Sequence, residues 1–497
     1  MIKTLKVILW NDEVGRLVWD ERRRLSYFTY NPEFIKKGLE ISPLSAPIGG
    51  ARALLPVWGE SERIYQRLPA FVADSLPDAW GNQLFEFWRQ QNHIASADIN
   101  PLDKLSFIGK RGMGALEFMP EASNKQKKED IINIKSLSNL AERIFVEREK
   151  ARILPEESMT MQSLLSVGTS AGGRQPKAII AISGETGEIR SGQIAGLEGF
   201  DYFILKFGDS KYCSAELEMT YYELASEAGI SMMPSKLYSV DGNNHFITKR
   251  FDRNGNKKVY TQTLAAICPD ANSYEQLIAV CRKLRVPESD CQEVFRRMVF
   301  NVLSNNTDDH NKNFSFIMSE DGKWRLSPAY DITYILNGGG YMPDENHCMY
   351  IRAKLSGITR NDVIDFAHDN GIRRPDSIIR EVVSSLKKIR SVALKNGVAK
   401  EWIGRVETSI LSHLKSWGEL DAECKPAAFK INGHEVGSIR LEEAYKGNYH
   451  LCACVDGVER KFVIGRSKEE YSIIEKAGLL NVTQEQLKAM ACKYFKL

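Results

Sequence analysis

The sequence has no CxxC pair, no long apolar run and no excess of one charge, and each absence removes a class of protein. Its nine cysteines stand mostly alone among apolar neighbours. Only Cys452 and Cys454 are close, in a run that alternates as a strand does. Zinc held by paired cysteines is therefore excluded, and single thiols fit a reducing compartment. No stretch is long and apolar enough to cross a bilayer. The opening MIKTLKVILWN is too short in its apolar part for a secretory core and reads as a first strand. With 67 Lys+Arg against 64 Asp+Glu, the formal net charge is +3 over 497 residues. Attraction of the whole molecule to nucleic acid or acidic lipid is excluded, and only a local patch can provide it. The histidines show no metal spacing, and no serine stands in a nucleophile-elbow setting. The expectation is a cytoplasmic protein without membrane attachment.

What is present is the balance of a globular chain, 43% hydrophobic and 26% charged. Its length calls for two or three domains. Residues 1–122 form the first, with strands Lys3–Trp10 and Arg16–Trp19 about an Asn11-Asp12 turn. Leu76-Pro77-Asp78 starts a helix before Trp80–Gln91. The polar run Ser123–Asp130 is a linker. Residues 131–255 follow: a helix Ser136–Arg152, a glycine-rich loop Gly168–Gly173, strands Ala178–Ile182, Phe200–Phe207 and His245–Thr248, and a helix Ala215–Ala228. Residues 256–424 are mainly helical, over Tyr274–Leu303 and Pro375–Ser416. Lys425-Pro426 closes that region. Residues 427–497 are a separate small unit with strands near Phe429–Ile431, Tyr449–Val455 and Arg460–Ile464 and a helix near Gln484–Lys493. Asn11-Asp12-Glu13-Val14-Gly15 resembles Gly433-His434-Glu435-Val436-Gly437, and both strings mark a hairpin.

The segment Asn305–Phe316 carries the densest chemistry. It lies between an apolar helix and the strand Phe314–Met318, and so many carboxylate, amide, imidazole and amine groups in one loop are costly unless exposed or used. Asp308 and Asn313 stand in the D-x-x-x-x-N relation of kinase catalytic loops. Asp321-Gly322 turns Phe314–Met318 into Lys323–Leu326, and folding that hairpin sets Asn313 beside Ser327–Asp331. One Asn and one Asp there make a hard oxygen site suited to Mg²⁺. The plainer alternative is that Asp331 caps a turn and Asn313 closes a loop. Lys206 ends the strand Phe200–Leu205, ordinarily a surface position. The helix after it carries Glu216 and Glu218, so a lysine–glutamate pair of kinase type is available. Upstream, Gly168-Thr169-Ser170-Ala171-Gly172-Gly173-Arg174-Gln175-Pro176-Lys177 is neither a Walker A nor a G-x-G-x-x-G loop, yet its glycines let backbone amides approach phosphate. Gly109–Gly114 reads as a turn.

These strings together resemble the HipA family, kinase toxins of bacterial toxin–antitoxin modules. The resemblance covers roughly residues 1–420. It rests on Leu68-Pro69-Ala70-Phe71 with Leu76-Pro77-Asp78, Gly168–Lys177, Phe203-Ile204-Leu205-Lys206, Glu218 through Ala225, Arg250-Phe251-Asp252-Arg253, and Asp308–Ser315 with Tyr330-Asp331. It implies an α+β, two-lobed, protein-kinase-like fold with a β-rich N-terminal extra domain, a nucleotide-binding lobe, an α-rich lobe and, beyond the match, a small α+β extension. By motif position it implies Asp308 as catalytic base and Asn313 and Asp331 as metal ligands. Lys206 would be the phosphate lysine, paired with Glu218, and Gly172, Gly173, Arg174, Gln175, Pro176 and Lys177 the nucleotide loop. Lys249, Arg250 and Phe251 would be the hinge whose backbone reads adenine, with Asp252 near the ribose. His310, Asn311, Lys312 and Tyr330 would line the ATP site, and Ser170 would be autophosphorylated.

The implied cofactors are ATP and Mg²⁺. The implied substrate is a serine in a protein, an aminoacyl-tRNA synthetase in family members. The implied partner is a small DNA-binding antitoxin of HipB type, with DNA reached only through it. Two departures stand out. Asp309 follows Asp308 where the family often has Gly, and can raise the Asp308 pKa or add a metal contact. Lys249 replaces a common Glu. Two other functions remain open on sequence alone: a kinase-shaped module that mainly binds antitoxin, and a small-molecule phosphotransferase.

Overall fold

Alternating apolar residues build the first sheet. In β1 (Thr4–Leu9), Leu5, Val7 and Leu9 are buried while Thr4 and Lys6 face solvent. It pairs antiparallel with β2 (Asp12–Asp20), which continues into β3 (Leu25–Tyr30), and β4 (Leu116–Met119) completes the order β3-β2-β1-β4. Gly15 is required here. A Cβ on it would lie 2.3 Å from the Thr29 carbonyl oxygen and 2.6 Å from the Phe28 ring. The computed structural model describes all residues except 1, 50–61, 123–130, 148–156, 169–174, 194–195, 336–345, 421–428, 432–433, 445–447, 456–457, 478–481, 483 and 496–497. The polar run 123–130 lies outside the described residues.

The second sheet joins β5 (Lys177–Ser183), β6 (Ile189–Ser191), β7 (Phe200–Lys206), β8 (Ser235–Val240) and β9 (Asn243–Lys249) in the order β6-β5-β7-β9-β8. Ala178 to Ala181 are fully buried, the mark of a strand covered on both faces. The helix Ser214–Glu227 packs on β8 and β9. A short ribbon, β10 (Arg253–Asn254) with β11 (Lys257–Lys258), leads to β12 (Tyr260–Thr263). That strand pairs with β13 (Ser315–Met318), which turns through Gly322, φ +80°, into β14 (Trp324–Leu326). The helical region holds Tyr274–Lys283, Glu288–Ser304, Arg360–Asp369, Pro375–Leu386, Ile389–Lys395 and Lys400–Ser416. Glu288–Ser304 is the central one and buries Val294, Phe295, Met298, Val299, Phe300 and Leu303 completely. Each such side chain contributes about 1.5–3 kcal/mol of burial free energy.

The N-terminal region is bonded to the rest of its unit. Tyr65 Oη donates to the Ala265 carbonyl at 2.6 Å, and Tyr260 Oη to that of Ile41 at 3.0 Å. Trp80 Nε1 reaches the Lys177 carbonyl at 3.0 Å, and the Gly114 amide the Asp252 carboxylate at 2.7 Å. It is thereby tied to both the β5–β9 sheet and the helical region, and Met1–His413 forms one compact unit.

The second unit is Leu414–Leu497. It holds an antiparallel sheet β15 (Phe429–Ile431), β16 (His434–Ala444), β17 (Asn448–Val455) and β18 (Val458–Ile464), in sequence order, with the helices Glu469–Ala477 and Gln484–Phe495. Its core includes Val436, Ile439, Leu451, Ile464, Ile474 and Ala491. The two similar strings do mark hairpins, and they close alike: Leu9 pairs with Asp12 and Ile431 with His434.

Candidate functional site

Two strands bring two lysines together. Lys177 opens β5 and Lys206 closes β7, and the antiparallel register sets them directly opposite each other. Side chains so paired lie about 5 Å apart, where like charges repel. Both are buried, at 2% and 8% exposure, so neither charge is relieved by water. Carboxylates relieve them instead. Lys206 Nζ donates to Glu218 on the helix Ser214–Glu227 and to Asp331. Burial works against the Lys206 charge, but Asp331 and Glu218 outweigh it and hold the amine above its ordinary value. Burial also works against the Asp331 charge. Lys206 and Lys177 overcome it and hold the carboxyl down to about 2. Glu218 is pushed up by burial, with Lys206 drawing it back toward the ionised form. The alternative Glu216 accepts from Asn244 Nδ2 at 2.7 Å, so Glu218 is the one that meets the lysine. Asp331 sits at φ +53°, a left-handed conformation uncommon for a residue with a side chain.

The loop facing this cluster begins where the helix Glu288–Ser304 ends, at Asn305 with φ +58°. The next residues divide by burial. Asp309 is 1% exposed, and its carboxylate accepts from Tyr274 Oη at 2.7 Å, the Cys348 amide at 2.8 Å and His347 Nδ1 at 2.9 Å. Those bonds anchor the loop, and they correct the expectation of a metal contact from Asp309. Asp308 points outward, with half its side chain exposed. Burial of the rest raises its pKa, His310 opposes the rise, and the Asp331 and Asp309 charges add to it. His310 Nε2 lies 3.7 Å from Asp308 Oδ1. Asn313 Nδ2 donates to the Asp308 carbonyl at 2.6 Å, which leaves Asn313 Oδ1 as the atom for a ligand.

The hairpin closes with the Ser327 amide on the Ser315 carbonyl at 2.9 Å, which brings Tyr330 to the residues on either side of Asn313. Tyr330 Oη lies 2.5 Å from Ser315 Oγ and donates to the Lys312 carbonyl at 2.8 Å. Asn311 does different work: its Nδ2 donates to the Ala271 carbonyl at 3.0 Å. Phe251 stacks on Tyr330, ring centroids 5.7 Å apart. At the loop root, Gln175 Nε2 donates to the Phe207 carbonyl at 2.9 Å and the Phe207 amide to the Pro176 carbonyl at 3.0 Å. Ser170, Gly172, Gly173 and Arg174 lie outside the described residues.

Two amides of the expected hinge are already engaged. The Lys249 amide donates to the Pro234 carbonyl and the Arg250 amide to the Tyr202 carbonyl, both at 2.9 Å. Those two N–H groups are not available to an adenine. The Lys249 side chain pairs with Asp201 at 2.8 Å. Asp252 is fully buried and accepts from Arg250, Arg253 and the Gly114 amide, so it does not reach a ribose. Burial alone would raise its pKa, but Arg250 and Arg253 drive it well below the carboxylate range. Sequence reasoning also missed Asp78 and Asp74, which the N-terminal region brings to this side. Asp74 accepts the Thr263 amide and hydroxyl at 2.8 and 2.7 Å. The sequence signal at Asp78 was Leu76-Pro77-Asp78, read as a helix start and as one of the strings that carry the resemblance.

Magnesium suits the donor set. An ionised Asp331 and the Asn313 carboxamide oxygen are hard ligands, and phosphate oxygens and water can complete the shell. Among the described residues no group of three or more His, Cys, Asp or Glu forms a site for a metal on its own.

Comparison with known proteins gives the family. The family model described as HipA N-terminal domain matches residues 5–119, and that described as HipA-like C-terminal domain matches residues 169–390. A Haemophilus influenzae protein named as a candidate kinase is 27% identical over 201 residues, 36% of this chain and 57% of that protein. The serine/threonine-protein kinase toxin HipA of Shewanella oneidensis is 21% identical over 364 residues, 67% of this chain and 75% of that one. The chain thus matches little more than half the length of the Haemophilus relative. The solved complex of the Shewanella oneidensis MR-1 toxin–antitoxin system HipA, HipB and its operator DNA aligns with TM-score 0.59 and 18% identity, over 83% of this chain and 97% of that chain. The fold is accordingly α+β, two-lobed and kinase-like.

Proposed function

The chain belongs to the HipA family of kinases, and on that premise we propose that it is an ATP- and magnesium-dependent serine/threonine protein kinase of the HipA toxin type. One observation carries the reading: Lys206 is bonded at once to Glu218 and Asp331, beside a loop that turns Asp308 outward. Phosphoryl transfer needs little beyond positioning and charge stabilisation. Lys206, steadied by Glu218, offers its ammonium to the transferred phosphate. Asn313 and Asp331 would hold Mg²⁺, which when bound neutralises charge on phosphate oxygens. Asp308 orients the serine hydroxyl and accepts its proton. Its raised pKa moves it toward the range of a useful base. Tyr274, His347 and the Cys348 amide hold Asp309, and so hold the loop that presents Asp308.

The substrate is proposed to be a serine in a cytosolic protein, of the aminoacyl-tRNA synthetase class by family resemblance. The partner is proposed to be a HipB-type antitoxin, by analogy with the Shewanella complex, with DNA contacted through it. Ser170 is proposed as an autophosphorylation site that switches the kinase off. Among the described residues no helix is long and apolar enough to cross a membrane. Incubating the purified protein with labelled ATP, with magnesium or with EDTA, tests the core of this reading. Phosphoserine should form only with magnesium. Release of labelled phosphate to small alcohols or sugars, and none to protein, would overturn it.

A further inference from the structure

The segment that anchors Asp309 also reaches the base. The Cys348 amide is shared between the Thr307 carbonyl at 3.2 Å and Asp309 Oδ1 at 2.8 Å, the neighbours of Asp308 on either side. The segment is pinned next to this point as well. The His347 amide donates to the Leu355 carbonyl and the Tyr350 amide to that of Asn272, both at 2.8 Å. Cys348 is thereby fixed against the turn that presents Asp308, and its Sγ donates to Asp308 Oδ1 at 3.9 Å. Among the described cysteines it is the exposed one, open to solvent like the carboxylate it meets.

The same oxygen is faced from a second direction. His310 Nδ1 accepts the Lys312 amide at 3.2 Å, which leaves the proton of a neutral imidazole on Nε2, the atom 3.7 Å from Asp308 Oδ1. That separation is too long for a hydrogen bond between nitrogen and oxygen, so the ring faces Oδ1 while the thiol bonds it. Both groups gather on Oδ1. A general base must present one oxygen to the proton it takes, and a half-exposed carboxylate is free to turn about its last bond unless it is held. We propose that Cys348 is a positioning residue of the catalytic base: its thiol holds Asp308 Oδ1 and so leaves Oδ2 turned toward the hydroxyl of the incoming serine. This deepens the kinase reading and rests on it. It also gives Asp309 a second task, since the bond from the Cys348 amide to Asp309 is what sets the thiol in place.

The test asks whether Cys348 acts through Asp308. In single-turnover transfer from MgATP to serine of the protein itself, Cys348→Ala should be about three- to tenfold slower than wild type, the worth of one modest hydrogen bond, with MgATP affinity unchanged. The effect should vanish where the base is gone: Cys348→Ala in the Asp308→Asn background should be no slower than Asp308→Asn alone. A side chain that only steadies the fold would slow both backgrounds alike. The contact is read separately, without catalysis, by the rate at which iodoacetamide alkylates Cys348 in the full-length protein at pH 8, followed by mass spectrometry. A carboxylate beside a thiol disfavours the reactive thiolate, so Asp308→Asn should raise that rate about three- to tenfold. A wild-type transfer rate in Cys348→Ala, equal slowing in both backgrounds, or an alkylation rate that Asp308→Asn leaves unchanged overturns the proposal. A wild-type protein that forms no phosphoserine removes the kinase reading and the role of Cys348 with it. One that forms phosphoserine while Cys348→Ala matches it overturns the role of Cys348 alone.

Discussion

Replacing Lys206 by Met removes the ammonium that Glu218 and Asp331 share. Two carboxylates are then left facing each other, one of them, Glu218, only 5% exposed. Removing one partner of a buried pair costs about 3–5 kcal/mol, most of it the cost of the charge left behind. Glu218→Gln is milder. It loses a charge-assisted hydrogen bond of about 1.5–3 kcal/mol but leaves Lys206 paired with Asp331. If the two losses were independent, the double variant would lose about 4.5–8 kcal/mol. They are not, because Gln at 218 removes the charge that Lys206→Met strands. The double variant should fall short of the sum by about 2 kcal/mol. The pH dependence has a definite sign. Glu218 is already raised by burial, and without Lys206 it rises further. A carboxyl raised above its unfolded value destabilises the fold at high pH and ceases to as pH falls through the folded value. The Lys206→Met penalty should therefore be larger at pH 8 than at pH 5.5. Urea midpoints of the four proteins at both pH values give the cycle. Strict additivity, or a penalty that does not change with pH, would refute the reasoning.

Asp309→Ala should cost about 3 kcal/mol in urea midpoints, because it strands the buried Tyr274 Oη and His347 Nδ1; a change below about 1 kcal/mol would mean that the loop does not depend on this anchor. We also propose that residues 427–497 fold on their own, given the separate core around Val436, Leu451 and Ile464. A chain truncated after Glu419 should stay soluble and bind MgATP with wild-type affinity, and aggregation of the truncated chain would show that the tail completes the kinase core.

Much of the site was legible because its signals are local. Asp308 to Asn313 is one spacing, Asp321-Gly322 one turn, and together they predict the meeting of Asn313 with Tyr330-Asp331. The Lys206–Glu218 pair follows from a strand and the next helix, although only the structure chooses Glu218 over Glu216. What failed depends on partners distant in sequence. The resemblance put Asp252 near a ribose, yet Gly114, 138 positions earlier, donates to it, and Arg250 and Arg253 fold back on it. The resemblance gave the backbone of Lys249, Arg250 and Phe251 to adenine, but the amides of Lys249 and Arg250 are bonded to the Pro234 and Tyr202 carbonyls. Asp309 was expected to raise the Asp308 pKa or to touch a metal; its charge does add to that rise, but its carboxylate is taken by Tyr274, His347 and the Cys348 amide. In the fold, β3, β4, β6, β8 and β12 were among the strands missed. β8 is only partly buried and does not alternate strongly, and β12, Tyr260–Thr263, is a four-residue strand recognised only through its pairing with β13. In the second unit β16 was likewise read as a hairpin string rather than an eleven-residue strand.

The most direct test of the central claim is single-turnover phosphoryl transfer by Asp308→Asn. The exchange keeps the size of the side chain and removes the proton acceptor. Loss of a general base lowers rates by about 10²–10⁴-fold. The account predicts a fall of that size with MgATP affinity unchanged, since Lys206, Asn313 and Asp331 remain in place. Transfer at a rate near wild type would contradict it.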